Sequence, residues 1–125
     1  MIGIPGDRRD ADQVEYGAIA ARAFDELIVR EDKNLRGRAP GVSAGNVIHG
    51  IRASRAAGAR VLKADKTLDE LTAVRMALRR AAPGDLIVCC VDDAIGVYRE
   101  AMAAGGSSRG ATAFADPGEL EVPEG

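Results

Sequence analysis

The sequence DELIVREDKNLRGRAPG, residues 25–41, joins a short apolar run to a long charged segment. Leu27, Ile28 and Val29 are β-forming residues, and they predict a buried strand. The segment after them has a composition that a core does not bury, with Arg30, Glu31, Asp32, Lys33, Arg36 and Arg38. In open α/β sheets, ligands bind outside the carboxyl ends of the strands. This loop is therefore the leading candidate for a binding site, and a solvated surface loop is the alternative.

An alternation of strands and helices extends outward from this stretch in both directions. Predicted strands cover residues 2–4, 27–29, 60–64 and 85–91, and predicted helices begin near residues 10, 43, 67 and 94. This order predicts an α/β, three-layer, Rossmann-like domain, whose mainly parallel sheet has about four to five strands with helices on both faces. The run DLIVCCV, residues 85–91, is apolar throughout, which predicts a position at the centre of the sheet. Gly17 weakens the first helix and so indicates a close contact with the sheet.

Capping residues mark several helix starts. Asp10 or Asp12 is the expected N-cap of the first helix, and Thr67 forms a capping box with the glutamate three residues later. Asp92 and Asp93 follow the predicted central strand. One of them is the expected N-cap of the fourth helix, although paired carboxylates at this place could also ligate magnesium or hold a ribose.

Composition predicts one domain with a core of its own. The chain has 125 residues, of which 46% are hydrophobic. Residues 1–104 are expected to form the domain, and residues 105–125 a Gly-, Ser- and Pro-rich acidic tail in which residues 113–115 could add a short edge strand. A net charge of −2 gives no general reason to bind nucleic acid or an anionic membrane.

The cysteines and the histidine carry no recognisable catalytic pattern. Cys89 and Cys90 are adjacent, so on a strand they point to opposite faces and cannot form a disulfide without distortion; two buried thiols are expected. Without a disulfide framework, a signal peptide or a long apolar run, the expected location is the cytoplasm. His49 lies inside a predicted helix without a triad or ligand partner, so we expect a structural or solvent-exposed role.

A glycine-containing turn precedes the first helix. The pattern around Gly6 fits neither a P-loop nor a dinucleotide-binding fingerprint. Arg8 and Arg9 follow it at the helix N-terminus, a combination that suits an anion such as a phosphate or a carboxylate.

Three segments together resemble a known family. IGIPGDRRDAD, the segment IAARAFDELIVREDKNLRGRAPG and PGDLIVCCVDD closely resemble the C-terminal Mur-ligase lobe of cyanophycin synthetases, over roughly residues 2–100. GDRRD is similar to the G-D-R-D loop of the murein peptide ligases. Asp32, Asn34, Arg36 and Pro40 are similar to their D-N-P-R segment, with one inserted residue and a leucine in place of proline. In that family the arginine of this segment binds the incoming amino acid.

The resemblance implies a reaction in which ATP phosphorylates a carboxylate and an amine attacks the acyl phosphate. In cyanophycin synthetase this module joins arginine to the side chains of an aspartate polymer, and the lobe closes as a lid over a separate core that binds ATP and magnesium. The implied substrate-binding residues are Glu31, Asp32, Asn34, Arg36 and Arg38, with Glu31 or Asp32 as the ligand of a guanidinium. The implied nucleotide- or anion-binding residues are Gly6, Asp7, Arg8 and Arg9.

The sequence departs from the family in what it lacks. It has no P-loop, and it begins at the second strand of the usual lobe, so it is expected to be either a fragment or a free-standing derivative. Two functions follow: a lid lobe that needs a ligase core from the same or another chain, or a non-catalytic binding module. A bare sheet edge would also allow homodimerisation.

Overall fold

Four helices and a small parallel sheet make up the chain in a computed structural model that describes residues 1–107. In chain order they are α1 (Asp10–Ala23), β1 (Glu26–Val29), α2 (Val42–Ala56), β2 (Lys63–Lys66), α3 (Glu70–Arg80) and α4 (Ala94–Ala103). β1 pairs in parallel with β2, with Leu27 opposite Ala64. The predicted α/β class is confirmed at this level. Most of the predicted tail, including residues 113–115, lies outside the described residues.

Two further segments are hydrogen-bonded beside β1. The amide of Ile2 donates to the carbonyl of Ile28, and the amide of Arg30 donates to the carbonyl of Ile2, each at 2.9 Å. The N-terminal segment that carries Ile2 also contacts residues 88–90. The Met1 amino group donates to the carbonyl of Val88 at 2.7 Å, and the amide of Cys90 donates to the carbonyl of Met1 at 3.0 Å. The sheet itself has two strands within residues 1–107, where the sequence predicts about four to five.

The predicted position of residues 85–91 at the centre of the sheet is wrong. Leu86 is 87% exposed and Val88 is 39% exposed. The described structure pairs this segment with Met1 on one side alone, so its apolar composition is not matched by burial. Of its two thiols, Cys89 is half-buried while Cys90 is exposed, and both are free.

The second strand is displaced from its predicted position. It covers Lys63–Lys66 rather than residues 60–64. Val61 is buried before the strand begins, where its amide donates to the carbonyl of Ala21 at 3.0 Å, whereas Leu62 is 68% exposed. Pairing with β1, rather than local hydrophobicity, therefore determines where this strand starts.

Helices pack on both sides of β1. Leu27 and Val29 share a buried cluster with residues of α1 and α2, while Ile28 faces residues of α3 and α4. The backbones of α1 and α2 touch: a Cβ atom built on Gly17 would lie 2.0 Å from the carbonyl oxygen of Val47. A Cβ on Gly50 would lie 1.8 Å from the carbonyl oxygen of Val14. Gly17 thus makes the close contact that the sequence predicts, but with α2 instead of the sheet.

The helix caps differ in part from the predicted ones. Asp93 caps α4, accepting the Gly96 amide at 2.9 Å, as one predicted alternative requires. The α3 cap is Asp69, which accepts the Thr72 amide at 2.9 Å, so the predicted capping box opened by Thr67 is wrong. Arg9 occupies the N-cap position of α1, and Asp10 and Asp12 lie in the first turn. Among residues 1–107, no helix combines the length and the apolar character needed to cross a membrane.

Candidate functional site

The charged segment after β1, residues 30–41, is called the arginine loop here. Its first two residues are buried: Arg30 is 4% exposed and Glu31 is 7% exposed. The expectation that none of these charges is buried is therefore wrong. The reason is that both side chains have charged or backbone partners, which offset the cost of removing them from water.

Glu31 holds the beginning of α2. Its two carboxylate oxygens accept the amides of Gly41 at 2.8 Å and Ala44 at 2.9 Å. A carboxylate at this place satisfies donors that lack partners within the helix, and it complements the positive end of the helix dipole. Glu31 therefore has a structural contact here, and its predicted contact with a guanidinium gains no support from this geometry.

Arg30 lies where three segments meet. Its guanidinium donates to the Cys90 carbonyl, through Nη2 at 2.9 Å and Nε at 3.3 Å. It also forms ion pairs with Asp32, with Asp92 at 3.3 Å and with Glu70 at 3.5 Å. Sequence analysis assigned Arg30 no such role, because Glu70, Cys90 and Asp92 are far from it in the chain.

Glu70 and Asp92 extend this cluster to the start of α4. The Glu70 carboxylate accepts the amides of Asp92 at 2.7 Å and Asp93 at 3.1 Å. Asp93 is the α4 cap, and Asp92 pairs with Arg30. The carboxylates of Asp92 and Asp93 therefore both contact groups of the protein itself.

Arg38 joins the arginine loop to the glycine turn, residues 5–9. Its Nε donates to the carbonyl of Gly6 at 2.7 Å, and its Nη2 donates to the carbonyl of Arg8 at 2.6 Å. Its Nη1 pairs with Asp10 at 2.5 Å, and this hydrogen bond lowers the pKa of the Asp10 carboxyl. The two predicted binding segments are thus brought into direct contact.

Gly6 is required for this contact. A Cβ atom at Gly6 would lie 2.4 Å from the carbonyl oxygen of Leu35, so the glycine turn packs directly on the backbone of the arginine loop. A larger residue would push the two segments apart.

Arg36 is displayed at the tip of the arginine loop. Its φ of 52° is in the left-handed region, and Gly37 follows with φ 85°. The Asn34 side chain accepts the Arg36 amide at 3.0 Å, an Asx turn that supports this backbone. The Arg36 side chain is exposed, and within residues 1–107 it makes no ion pair or hydrogen bond. Asn34 therefore acts through the backbone to present Arg36.

The charged side chains of the glycine turn are all exposed. Arg9 is engaged by Asp12, with Nε and Nη2 each 2.9 Å from a carboxylate oxygen. This hydrogen bond lowers the pKa of the Asp12 carboxyl. The side chains of Asp7 and Arg8 make no hydrogen bond or ion pair in the described part of the chain, and both are open to solvent.

A buried polar network that sequence analysis missed joins the glycine turn to α2. Gln13 is fully buried and donates to the carbonyl of Pro5 at 3.2 Å and to Ser43 Oγ at 3.0 Å. Asn46 donates to Gln13 at 2.9 Å. A polar residue on the inward face of an otherwise Ala-rich helix is the signal that could have identified Gln13.

Two other features lie away from this site. His49 is exposed, in agreement with the expected structural or solvent-exposed placement. An open groove of about 670 Å³ lies at the amino end of β1, lined by Asp25, Glu26, Arg60, Leu62 and Leu86 among others. It is at the opposite end of β1 from the arginine loop.

The geometry defines an α/β domain with two touching cationic loops at the carboxyl end of β1. No family model matches the chain. It is 42% identical over 90 residues to cyanophycin synthetase of Crocosphaera subtropica, and 40% identical over 88 residues to that of Synechocystis sp.. The corresponding protein of Geminocystis herdmanii is 39% identical over 88 residues. Each match covers 70% of this chain.

These identities show that the chain is homologous to a segment of the cyanophycin synthetases. The resemblance to cyanophycin synthetases drawn from the sequence is thereby confirmed. The chain spans about 10% of the length of these relatives.

Proposed function

We propose that this chain is the substrate-binding lid lobe of an ATP-dependent ligase of the cyanophycin synthetase type. Such a ligase joins arginine to the side-chain carboxylates of an aspartate polymer, in the cytoplasm. ATP and Mg²⁺ bind to a separate ligase core, in the same or another chain, and the lobe has no activity alone. Homology to cyanophycin synthetases supports the class of reaction.

The proposed lobe has a three-layer, Rossmann-like architecture with about four to five strands. The hydrogen bonds that Ile2 makes to β1, and that Met1 makes to Val88 and Cys90, support this larger sheet. A lobe built on such a sheet presents the carboxyl ends of its strands to the ligand.

The observation that carries the proposal is the exposed guanidinium of Arg36 beside the glycine turn. A planar guanidinium binds a carboxylate through two parallel hydrogen bonds, which suits the α-carboxylate of an incoming amino acid. Asp32 lies at the base of the same loop, where one of its carboxylate oxygens pairs with Arg30 and the other suits the guanidinium of an arginine substrate. Glu31 and Arg38 form the frame that holds the loop in place.

The glycine turn is proposed as the anion-binding part of the site. Arg8 is open to solvent, so it is available to a nucleotide phosphate or to a carboxylate of the polymer. Arg9 is engaged by Asp12 and contributes positive charge from a fixed position. Gly6 and Asp7 complete the turn. Closure of the lobe over the core would exclude water from the acyl phosphate.

A coupled ADP-release assay with the chain plus a matching core tests this function. Replacing Arg36 by Ala removes a charge-assisted contact, which should cost about 1.5 to 3 kcal/mol, or about one to two decades in kcat/KM. Arg36→Lys should rescue activity only in part because lysine lacks the planar fork. Arg55→Ala is the matched control, since Arg55 is an exposed arginine in the last turn of α2.

Three results would count against the proposal. ADP release by the pure isolated chain would mean that the chemistry lies within this lobe. Equal activity of Arg36→Ala and the parent would contradict the proposed role of the loop in substrate binding. Binding of the amino acid without any ADP release in the presence of core would favour the non-catalytic binding module instead.

A further inference from the structure

The Arg30 guanidinium is covered on one face by Gly3. A Cβ atom at Gly3 would lie 2.8 Å from Cζ of Arg30. With a side chain that is 4% exposed, Arg30 is closed off from solvent and from any ligand in the site. Its charge must therefore act on the protein itself.

The partners of Arg30 belong to different parts of the fold. Asp32 begins the exposed part of the arginine loop, Glu70 is the first residue of α3, and Asp92 precedes the α4 cap. The carbonyl of Cys90 accepts from two of its nitrogens. One planar group thus fixes the loop relative to two helix starts, a task for which the five donors of arginine are suited.

We propose that Arg30 is a positioning residue for amino-acid binding, and that it acts through Asp32 on the loop that carries Arg36. This inference rests on the proposed function. The ion pair with Arg30 restrains Asp32. The Asx turn of Asn34, two residues further on, fixes the backbone at Arg36. Loss of Arg30 should weaken binding of the amino acid while leaving the binding of ATP unchanged.

The kinetic test uses Arg30→Gln and Arg30→Lys in the chain assayed with the ligase core. Arg30→Gln should raise the KM for the amino acid about tenfold and change the KM for ATP less than about twofold. Arg30→Lys keeps the charge, so its KM for the amino acid should lie between those of the parent and Arg30→Gln. It also serves as the test variant if Arg30→Gln does not fold. Arg60→Gln is the control, because Arg60 forms an exposed ion pair with Asp25 at the other end of β1.

A double-mutant cycle tests whether Arg30 acts through Asp32. Asp32→Asn should itself raise the KM for the amino acid. In that background Arg30→Gln should add less than about a twofold further change, because the ion pair with Asp32 is already lost. Fully multiplicative effects of the two substitutions would overturn the proposal.

Amide hydrogen exchange separates this inference from the proposed function, since it needs no activity. In Arg30→Gln, the amides of Arg36 and Arg38, which are hydrogen-bonded within the loop, should exchange at least about tenfold faster, while those of Val47 and Ile51 in α2 stay unchanged. Unchanged exchange in the loop would refute the positioning role even if the ligase works. Faster loop exchange together with a parent protein that shows no ligation in the presence of core would support the positioning of the loop and refute the proposed function.

Discussion

The two sides of β1 are packed very differently. On one side, Leu27 and Val29 meet α1 and α2, whose backbones touch at Gly17 and Gly50. On the other side, Ile28 meets α3 and α4, and the neighbouring segment leaves Leu86 almost fully exposed. Apolar character is similar on both sides, so composition does not decide burial; the partner available to each residue does.

Truncating one large side chain on each side measures this difference most directly. Ile51 in α2 is 1% exposed, so Ile51→Ala should lower the free energy of unfolding by about 2 to 5 kcal/mol, through lost burial and an unfilled cavity. Leu86→Ala should lower it by less than about 0.5 kcal/mol. Urea denaturation of the chain measures both. A loss at Leu86 as large as that at Ile51 would mean that the exposed segment is covered in solution.

The close approach of α1 and α2 can be tested with one pair of glycines. Gly17→Ala places a methyl group against the Val47 carbonyl, which should cost about 1 to 3 kcal/mol of stability. Gly45→Ala, also within a helix, meets no atom within 4 Å and should stabilise the protein by up to about 1 kcal/mol. Thermal unfolding of both variants is the measurement. Equal tolerance of the two substitutions would contradict the backbone contact.

Local patterns predicted the helices and β1 well, and the other strands less well. The apolar run 27–29 correctly placed β1 and the charged loop after it. The order of helices, and a cap of α4 by Asp92 or Asp93, also followed from the sequence. Each of these features depends on residues that are near one another in the chain.

The errors in burial and in the position of β2 concern long-range partners. Burial of Arg30 depends on Asp92 and on the Cys90 carbonyl, about sixty residues away in the chain, and no local pattern contains that information. The position of β2 depends on its register with β1. In the site, resemblance indicated that both loops matter, but the contact that Arg38 makes between them came only from the structure.

Lowering the pH should have the smallest effect of these tests. It acts on the tightly packed side of β1, where Arg38 pairs with Asp10. Because the hydrogen bond from Arg38 holds the pKa of Asp10 below its ordinary value of 3.8, the folded state favours the carboxylate. The pair therefore contributes stability above the unfolded pKa, and this contribution is lost as the pH falls through the lower folded value.

Asp10→Asn should remove this part of the acid sensitivity, so the melting temperature of the variant should fall less than that of the parent between about pH 5 and about pH 2. Asp25→Asn is the matched control, because a hydrogen bond from Arg60 likewise lowers the pKa of Asp25, at the far end of β1. Both variants should lose acid sensitivity, but only Asp10→Asn should speed exchange of the Arg38 amide, which donates to the Leu35 carbonyl, since Asp10 pairs with the Arg38 side chain and Asp25 does not. Faster loop exchange in Asp25→Asn as well would mean that the loop responds to overall stability, and the Arg38 contact would not be what joins the two segments.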